Sequence, residues 1–215
     1  KRKSEMKALQ AQINPHFLYN TLDSIIWMSE AGENDQVVLM TSALAKLLRQ
    51  SISNDREQIT VAEEIDYVRS YLTIQKMRYK DKLEYTIDVE ERILDVRIIK
   101  FVLQPLVENA IYHGLKYKET KGNLDIRGYR RGNRVCLVVA DDGAGMEESE
   151  LEHILEKKEK KTKSNGVGVY NVQKRLQLYY GPEYGISYIS RKGEGTVATV
   201  TIPLDGGKSN EETGR

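Results

Sequence analysis

Leu103-Gln104-Pro105-Leu106-Val107-Glu108-Asn109-Ala110, then Asp141-Asp142-Gly143-Ala144-Gly145, then Gly166-Val167-Gly168: these three signatures, in this order, decide the fold. The first lies on an apolar, helix-like run that ends near His113-Gly114. The second directly follows the strand-like run Val135 to Ala140, and the third opens a helix from Val169 to Tyr180. A helix, a strand end with a glycine loop, and a glycine loop running into a helix are the parts of a pocket for a nucleotide and its metal.

Each part has a physical reason. An ionised Asp141 only accepts hydrogen bonds, so at a buried strand end it selects a ring with an exocyclic amine, as adenine has. Gly143 and Gly145 lack a Cβ, which lets the chain turn sharply and bring its backbone close to a ligand. Gly166 and Gly168 precede a helix, where free N–H groups and the helix dipole favour phosphate. Asn109 offers a neutral amide oxygen, a hard ligand suited to Mg²⁺, which draws its other ligands from water and phosphate. His113 falls four residues later on the same face. It either ends the helix on a carbonyl or contacts the phosphates.

Upstream, Lys1 to Glu30 has helical spacing, with Met6, Leu9, Ile13, Phe17 and Asn20 on one face. Pro15 is expected to kink it or to end a turn just before His16. A turn at Ala31 to Asp35 leads to a second helix, Val37 to Ser51. Two helices with wide apolar faces bury them best by pairing with a second copy, which predicts a homodimeric four-helix bundle. Thr60 and Glu63 form a capping box for a linker helix that runs to about Tyr79. From Leu83 the period changes to two. A strand, the Asn109 helix, a hairpin turning at Gly132-Asn133, the third helix and two last strands complete an α+β chain. Its second part is an α/β sandwich with a mixed, largely antiparallel sheet and helices on one face. The boundaries read as 1–60 for dimerisation, 61–204 for the linker helix and nucleotide domain, and 205–215 for a disordered tail. The charged stretch Glu147 to Ser164, with Lys157, Lys158, Lys160, Lys161 and Lys163, is a solvated loop or short helix that can also serve as a mobile lid. His153 there is expected to be exposed.

Composition narrows the partners. A formal net charge of +1 argues against a nucleic-acid surface, and 30% charged with 40% apolar residues is ordinary for a soluble protein. Cys136 is the sole cysteine, which fits a reducing compartment and a packing role. No run approaches the ~18 apolar residues of a membrane span. With Lys1 rather than Met at its start, the chain reads as a cytoplasmic fragment of something longer.

On these motifs the chain resembles sensor histidine kinases of the LytS/YesM-like subfamily, in the GHKL superfamily of ATP-binding proteins with the Bergerat fold. Leu103 to Gly114 looks like the N box, Asp141 to Gly145 the G1 box and Gly166 to Leu176 the G2 box. Gly195-Thr196 resembles a pair that helps bind adenine through water. Gln12-Ile13-Asn14-Pro15-His16-Phe17-Leu18-Tyr19-Asn20-Thr21-Leu22 resembles the phosphoacceptor motif, with His16 as acceptor.

The resemblance implies ATP and Mg²⁺ as cofactors, autophosphorylation of His16, and transfer to an aspartate of a response-regulator receiver domain. It also implies a membrane-spanning sensor upstream, in a bacterial inner or plasma membrane. Many histidine kinases carry an acid right after the histidine; here Phe17 stands there, and Glu108 is the candidate base. Asn20, one turn on, is a candidate for positioning water in phosphatase action. Gyrase-like members carry Glu where this chain has Pro105, which favours transfer over hydrolysis. The alternative is a dimeric ATP-binding signalling module without catalysis.

Overall fold

The structure is a computed structural model, and it describes residues 14–52, 56–116, 118–155 and 167–207. The first described helix, α1 (Pro15–Glu30), begins where a kink or the end of a turn was expected. Asn14 is extended and its side chain accepts from the His16 N–H at 2.9 Å, so Pro15 takes the first helical position. Proline costs nothing there, because that N–H has no partner inside the helix. Lys1 to Ile13, expected to be helical, lie outside the described residues.

α2 (Asn34–Ile52) returns antiparallel to α1, and α3 (Val61–Tyr79) follows. Thr60 caps α3 as its sequence demands, accepting from the Glu63 N–H at 3.1 Å. α3 is more than a connector. Val61, Val68, Tyr71, Leu72 and Ile74 are at most 1% exposed, and burial extends around the helix. The hairpin packs on one side through Phe17, Met40, Leu44 and Leu47, with Phe17 against Tyr71 at a ring separation of 4.9 Å. The sandwich packs on the other. At about 1.5–3 kcal/mol for each large apolar side chain buried, α3 anchors both halves.

The sandwich has five strands in the order β2-β4-β5-β7-β6: β2 (Leu83–Val89), β4 (Gly122–Arg131), β5 (Arg134–Asp141), β6 (Gly185–Arg191) and β7 (Gly195–Pro203). β2 and β4 are parallel and the other pairs antiparallel. Leu124, Ile126, Val135, Leu137, Val139, Ala198, Val200 and Ile202 point into the core, beneath α3, α4 (Leu103–Asn109) and α6 (Val167–Tyr180). A short α5 (Glu148–His153) opens the charged stretch with a capping box from Glu147 and Glu150. Its lysines and Gly166 lie outside the described residues.

Two features were not expected. β1 (Gln58–Thr60) pairs antiparallel with β3 (Arg97–Ile99) in a second, two-stranded sheet. At the other end, Gly206 O accepts from Gln58 Nε2 at 2.7 Å and the Gly207 N–H donates to Asp205 Oδ1 at 3.1 Å. The first residues of the tail read as disordered are therefore held, and 208–215 lie outside the described residues.

Candidate functional site

α4 ends at Asn109 and continues as a π-helical turn, Ala110–Leu115. Such turns widen a helix and recur at functional sites. Pro105 is buried in the first turn of α4, where its missing N–H needs no partner. Asn109 and His113 both line a cavity of 610 Å³ walled by Leu106, Val139, Met146, Ile154, Tyr188 and Ala198. Asp141, Gly145 and Thr196 line it too, so residues from four separate stretches meet on one cavity.

Asp141 accepts from the Gly143 N–H at 2.9 Å. Burial pushes its carboxyl from the usual 3.8 to about 6, the neighbouring Asp142 adding to the rise and the donated N–H groups opposing it. Asp142, next in the chain, points outward. It accepts from Asn123 N at 2.8 Å, from Asn123 Nδ2 at 2.7 Å and from Lys118 Nζ at 2.9 Å. Although burial pulls the other way, these donors hold its carboxyl below the usual carboxylate range. One of the two carboxylates faces the cavity, and the other ties down the loop.

The glycines of this loop answer to protein packing. A Cβ on Gly143 would sit 1.9 Å from Gly114 O, and one on Gly145 (φ 65°) 1.9 Å from Arg191 O. Their missing Cβ atoms thus admit an approach of backbone to backbone; Gly145 also lines the cavity, and Gly143 does not. Gly168 is a correction of another kind: it lies inside the first turn of α6, facing Pro105, and does not precede the helix.

Ser190 was not foreseen. Its Oγ donates to Gly195 O at 3.0 Å and accepts from Met146 N at 2.9 Å. Its one hydroxyl proton being spent, Thr196 Oγ1, 2.7 Å away, must donate to it. That fixes the Thr196 hydroxyl with its lone pairs left to accept. An isolated serine in an edge strand carries no sequence signal for this role.

The remaining candidates lie elsewhere. His16 is exposed near the start of α1, and Asn20 lines a separate groove of 1210 Å³ with Asp23, Trp27, Met77 and Arg78. Glu108 is absent from the cavity lining and accepts from Gln104 Nε2 at 2.9 Å, burial raising its pKa. His153 lines the cavity and is exposed at its rim, so its placement is more informative than the sequence suggested. For Mg²⁺ the fit is through Asn109. No cluster of three or more His, Cys, Asp or Glu able to hold a metal occurs among the described residues, so a metal here would depend on oxygens brought by the nucleotide.

Comparison with known proteins agrees with this geometry. A histidine kinase family profile matches residues 4–83, and that of the histidine kinase-, DNA gyrase B- and HSP90-like ATPases matches residues 94–206. Sensor histidine kinase YesM of Bacillus subtilis is 39% identical over 94% of this chain and 34% of its own length. Sensor histidine kinase BtsS of Escherichia coli is 32% identical over 93% of this chain and 33% of its own. The chain thus spans about a third of these relatives. Among solved structures, the histidine kinase domain of the blue-light activated kinase EL346 from Erythrobacter litoralis covers 95% of the chain and is itself covered to 94%, with a TM-score of 0.53 at 15% identity. The catalytic domain of histidine kinase ThkA covers 68% of the chain, and 96% of that domain is covered, with a TM-score of 0.54 at 19% identity. These two share the fold. The chain belongs to the histidine kinase-, DNA gyrase B- and HSP90-like ATPase family, and within it to the sensor histidine kinases of the LytS/YesM-like group.

Proposed function

We propose that this chain is the catalytic part of a sensor kinase that binds ATP in the 610 Å³ cavity and transfers its γ-phosphate to His16. The observation that carries the reading is the meeting of Asn109, His113, Asp141 and Thr196 on one cavity, in a chain that also presents an exposed histidine on a helical hairpin.

Adenine enters between the apolar walls, its exocyclic amine donating to Asp141 and its ring edge reached from Thr196 through water. Asn109 would hold Mg²⁺, which screens the triphosphate charge when bound. His113 contacts the phosphates. A neutral His16 nitrogen donates its lone pair to the γ-phosphorus, the bond to the β-bridging oxygen breaks, and ADP leaves. The other ring nitrogen then sheds its proton. Glu108, the neighbour of Asn109 in the chain, is our candidate to take it.

His16 is not part of the cavity lining, so transfer requires the hairpin to move against the sandwich or a second copy to supply the histidine. A homodimer through the exposed apolar face of the hairpin fits the second route. Asn20 then positions water for phosphatase action. The phosphate passes on to an aspartate of a response-regulator receiver domain. A membrane-spanning sensor upstream, with this part in the cytoplasm, fits the relatives' greater length. No helix among the described residues is long and apolar enough to cross a membrane.

The test is incubation with γ-labelled ATP and Mg²⁺, comparing wild type with His16→Gln. Acid-labile, alkali-stable label in the wild type alone is expected. Label that persists in the mutant moves the acceptor elsewhere. If neither protein is labelled while both bind ATP as dimers, the chain is a non-catalytic ATP-binding module.

A further inference from the structure

Glu64, on α3, is fully buried, and its carboxylate collects three successive backbone N–H groups. Val102 and Leu103 donate to Oε1 at 2.8 and 2.9 Å, and Phe101 donates to Oε2 at 3.1 Å. These are donors at the start of α4, whose N-cap residue, Val102, has no capping side chain of its own. The cap comes instead from a residue 38 positions earlier. Phe101 holds φ at 56°, a left-handed backbone that costs a non-glycine residue roughly 1–2 kcal/mol. The turn at Phe101 gathers the successive N–H groups around one anion.

Arg175 reaches the same segment from α6 and is only 1% exposed. Its Nη1 donates to Phe101 O at 3.3 Å and its Nη2 to Lys100 O. The peptide from Lys100 to Leu103 is therefore gripped by its N–H groups from α3 and by its carbonyls from α6. Asn109 lies about two turns further along α4. α3 is also the helix on which Phe17, next to His16, is buried.

As a purely stabilising device the arrangement is poor. Burial raises the Glu64 pKa and lowers that of Arg175, and Arg175 Nε has no hydrogen-bond partner among the described residues. Apolar side chains often replace such buried charges at no loss of stability, whereas removing one partner alone is costly. What the pair does that apolar residues cannot is fix the start of α4 against two other helices by directional bonds.

We propose that Glu64 and Arg175 are positioning residues for the nucleotide site: together they set α4, and with it Asn109, against α6, and they couple α3 to the nucleotide. The inference rests on the reading of the cavity as an ATP site. It makes nucleotide affinity answer to the helix that carries the hairpin.

The experiment measures the ATP dissociation constant by calorimetry on the 215-residue chain. Wild type, Glu64→Gln, Arg175→Met and the double variant are compared, each with a thermal melt to confirm folding at the assay temperature. Expected is a loss of about tenfold or more for folded Glu64→Gln, and a double variant no worse than the weaker single one, since both act on one segment. Wild-type affinity in folded Glu64→Gln, or a double loss equal to the product of the two single losses, overturns the proposal. If Glu64→Gln does not fold, Arg175→Lys, which keeps the charge and loses the two-pronged reach, decides by the same tenfold criterion. A wild type that does not bind ATP removes the reading of the cavity itself, and this inference with it.

Discussion

On the helical hairpin, Tyr19, Leu22, Ile26, Trp27, Val38 and Leu39 stand 42% to 68% exposed, whereas among the described residues of the sandwich Ile189 is the one comparable case. The two regions pack on opposite sides of α3 and differ in what they leave open. The sandwich closes its own core and opens at the cavity of 610 Å³ that Asp141 lines. The hairpin spends one face on α3 through Phe17, Met40, Leu44 and Leu47 and leaves another unmatched. Tyr19, Leu22 and Ile26 follow the three-and-four spacing of a single helix face. An exposed stripe of this kind marks an interaction surface more often than a solvated one. The cavity is thus lined within one chain, while the hairpin leaves an apolar face exposed.

Asp141 is where the self-sufficient half is most easily broken, and the largest effect is expected there. Asp141→Asn keeps an oxygen for the Gly143 N–H but puts a donor where adenine's amine needs an acceptor. ATP binding should weaken by about a hundredfold or more, the scale of two to three kilocalories for a mispaired buried polar group. The same variant should gain stability without nucleotide. Folding raises the Asp141 pKa from 3.8 to about 6, so the neutral form is favoured in the fold. The stability this contributes is fully present below pH 3.8 and is lost as the pH rises through about 6. At neutral pH the charged carboxylate therefore carries a penalty of up to ~3 kcal/mol, which Asn removes. For the wild type, ATP affinity should fall about tenfold per pH unit below 6. Calorimetric titration from pH 5 to 8, with melting curves alongside, checks both. Flat affinity across that range would sink the role of Asp141.

What could be read in advance was local. The period-two runs match the strands to within a residue or two, Thr60 with Glu63 placed the start of α3, and residues of the first two signatures, Asn109 and Asp141, meet on one cavity. What escaped depends on partners far away in sequence. Gly143 and Gly145 were expected to let backbone approach a ligand, and the backbone of Gly114 and Arg191 that their missing Cβ atoms also avoid left no mark in the sequence. Gln58 to Thr60 pairs with residues 97–99 because the fold brings them together, and a three-residue strand has no pattern of its own. Glu64 is one of two acids in the first turn of α3, and its three N–H partners lie 37 to 39 positions away. At Pro15 the sequence left a kink and the end of a turn both open. The same residue kinks a helix from inside and opens one from its end, and the Asn14 cap that decides between them is a matter of one side-chain rotamer.

The hairpin's open face offers an intermediate effect. Ile26→Lys puts a charge on a position already 53% exposed, so the fold of one chain should barely respond. If the stripe is the dimer interface, the dimer dissociation constant should rise about tenfold or more, since a buried unpaired charge costs kilocalories. Sedimentation velocity over a concentration series reads this directly. Labelling of His16 should fall with the dimer if the histidine is supplied by the second copy, and should survive if each chain serves itself. A variant that stays dimeric assigns Tyr19, Leu22 and Ile26 to some other partner.

The smallest expected effect separates the two helix caps. Thr60 accepts one N–H, from Glu63, at the half-exposed start of α3, where water can take over when the hydroxyl is lost. Thr60→Ala should cost about 1 kcal/mol, lowering the melting temperature by about 2–4 °C, while Thr60→Ser should cost less. Neither ATP affinity nor dimerisation should change. Glu64 caps α4 in a place water does not reach, and it holds a helix that carries a site residue. If Thr60→Ala weakens ATP binding as much as Glu64→Gln, α3 acts on the cavity through its general rigidity and the particular bonds to Phe101, Val102 and Leu103 lose their claim. If only Glu64→Gln does so, those bonds carry the coupling.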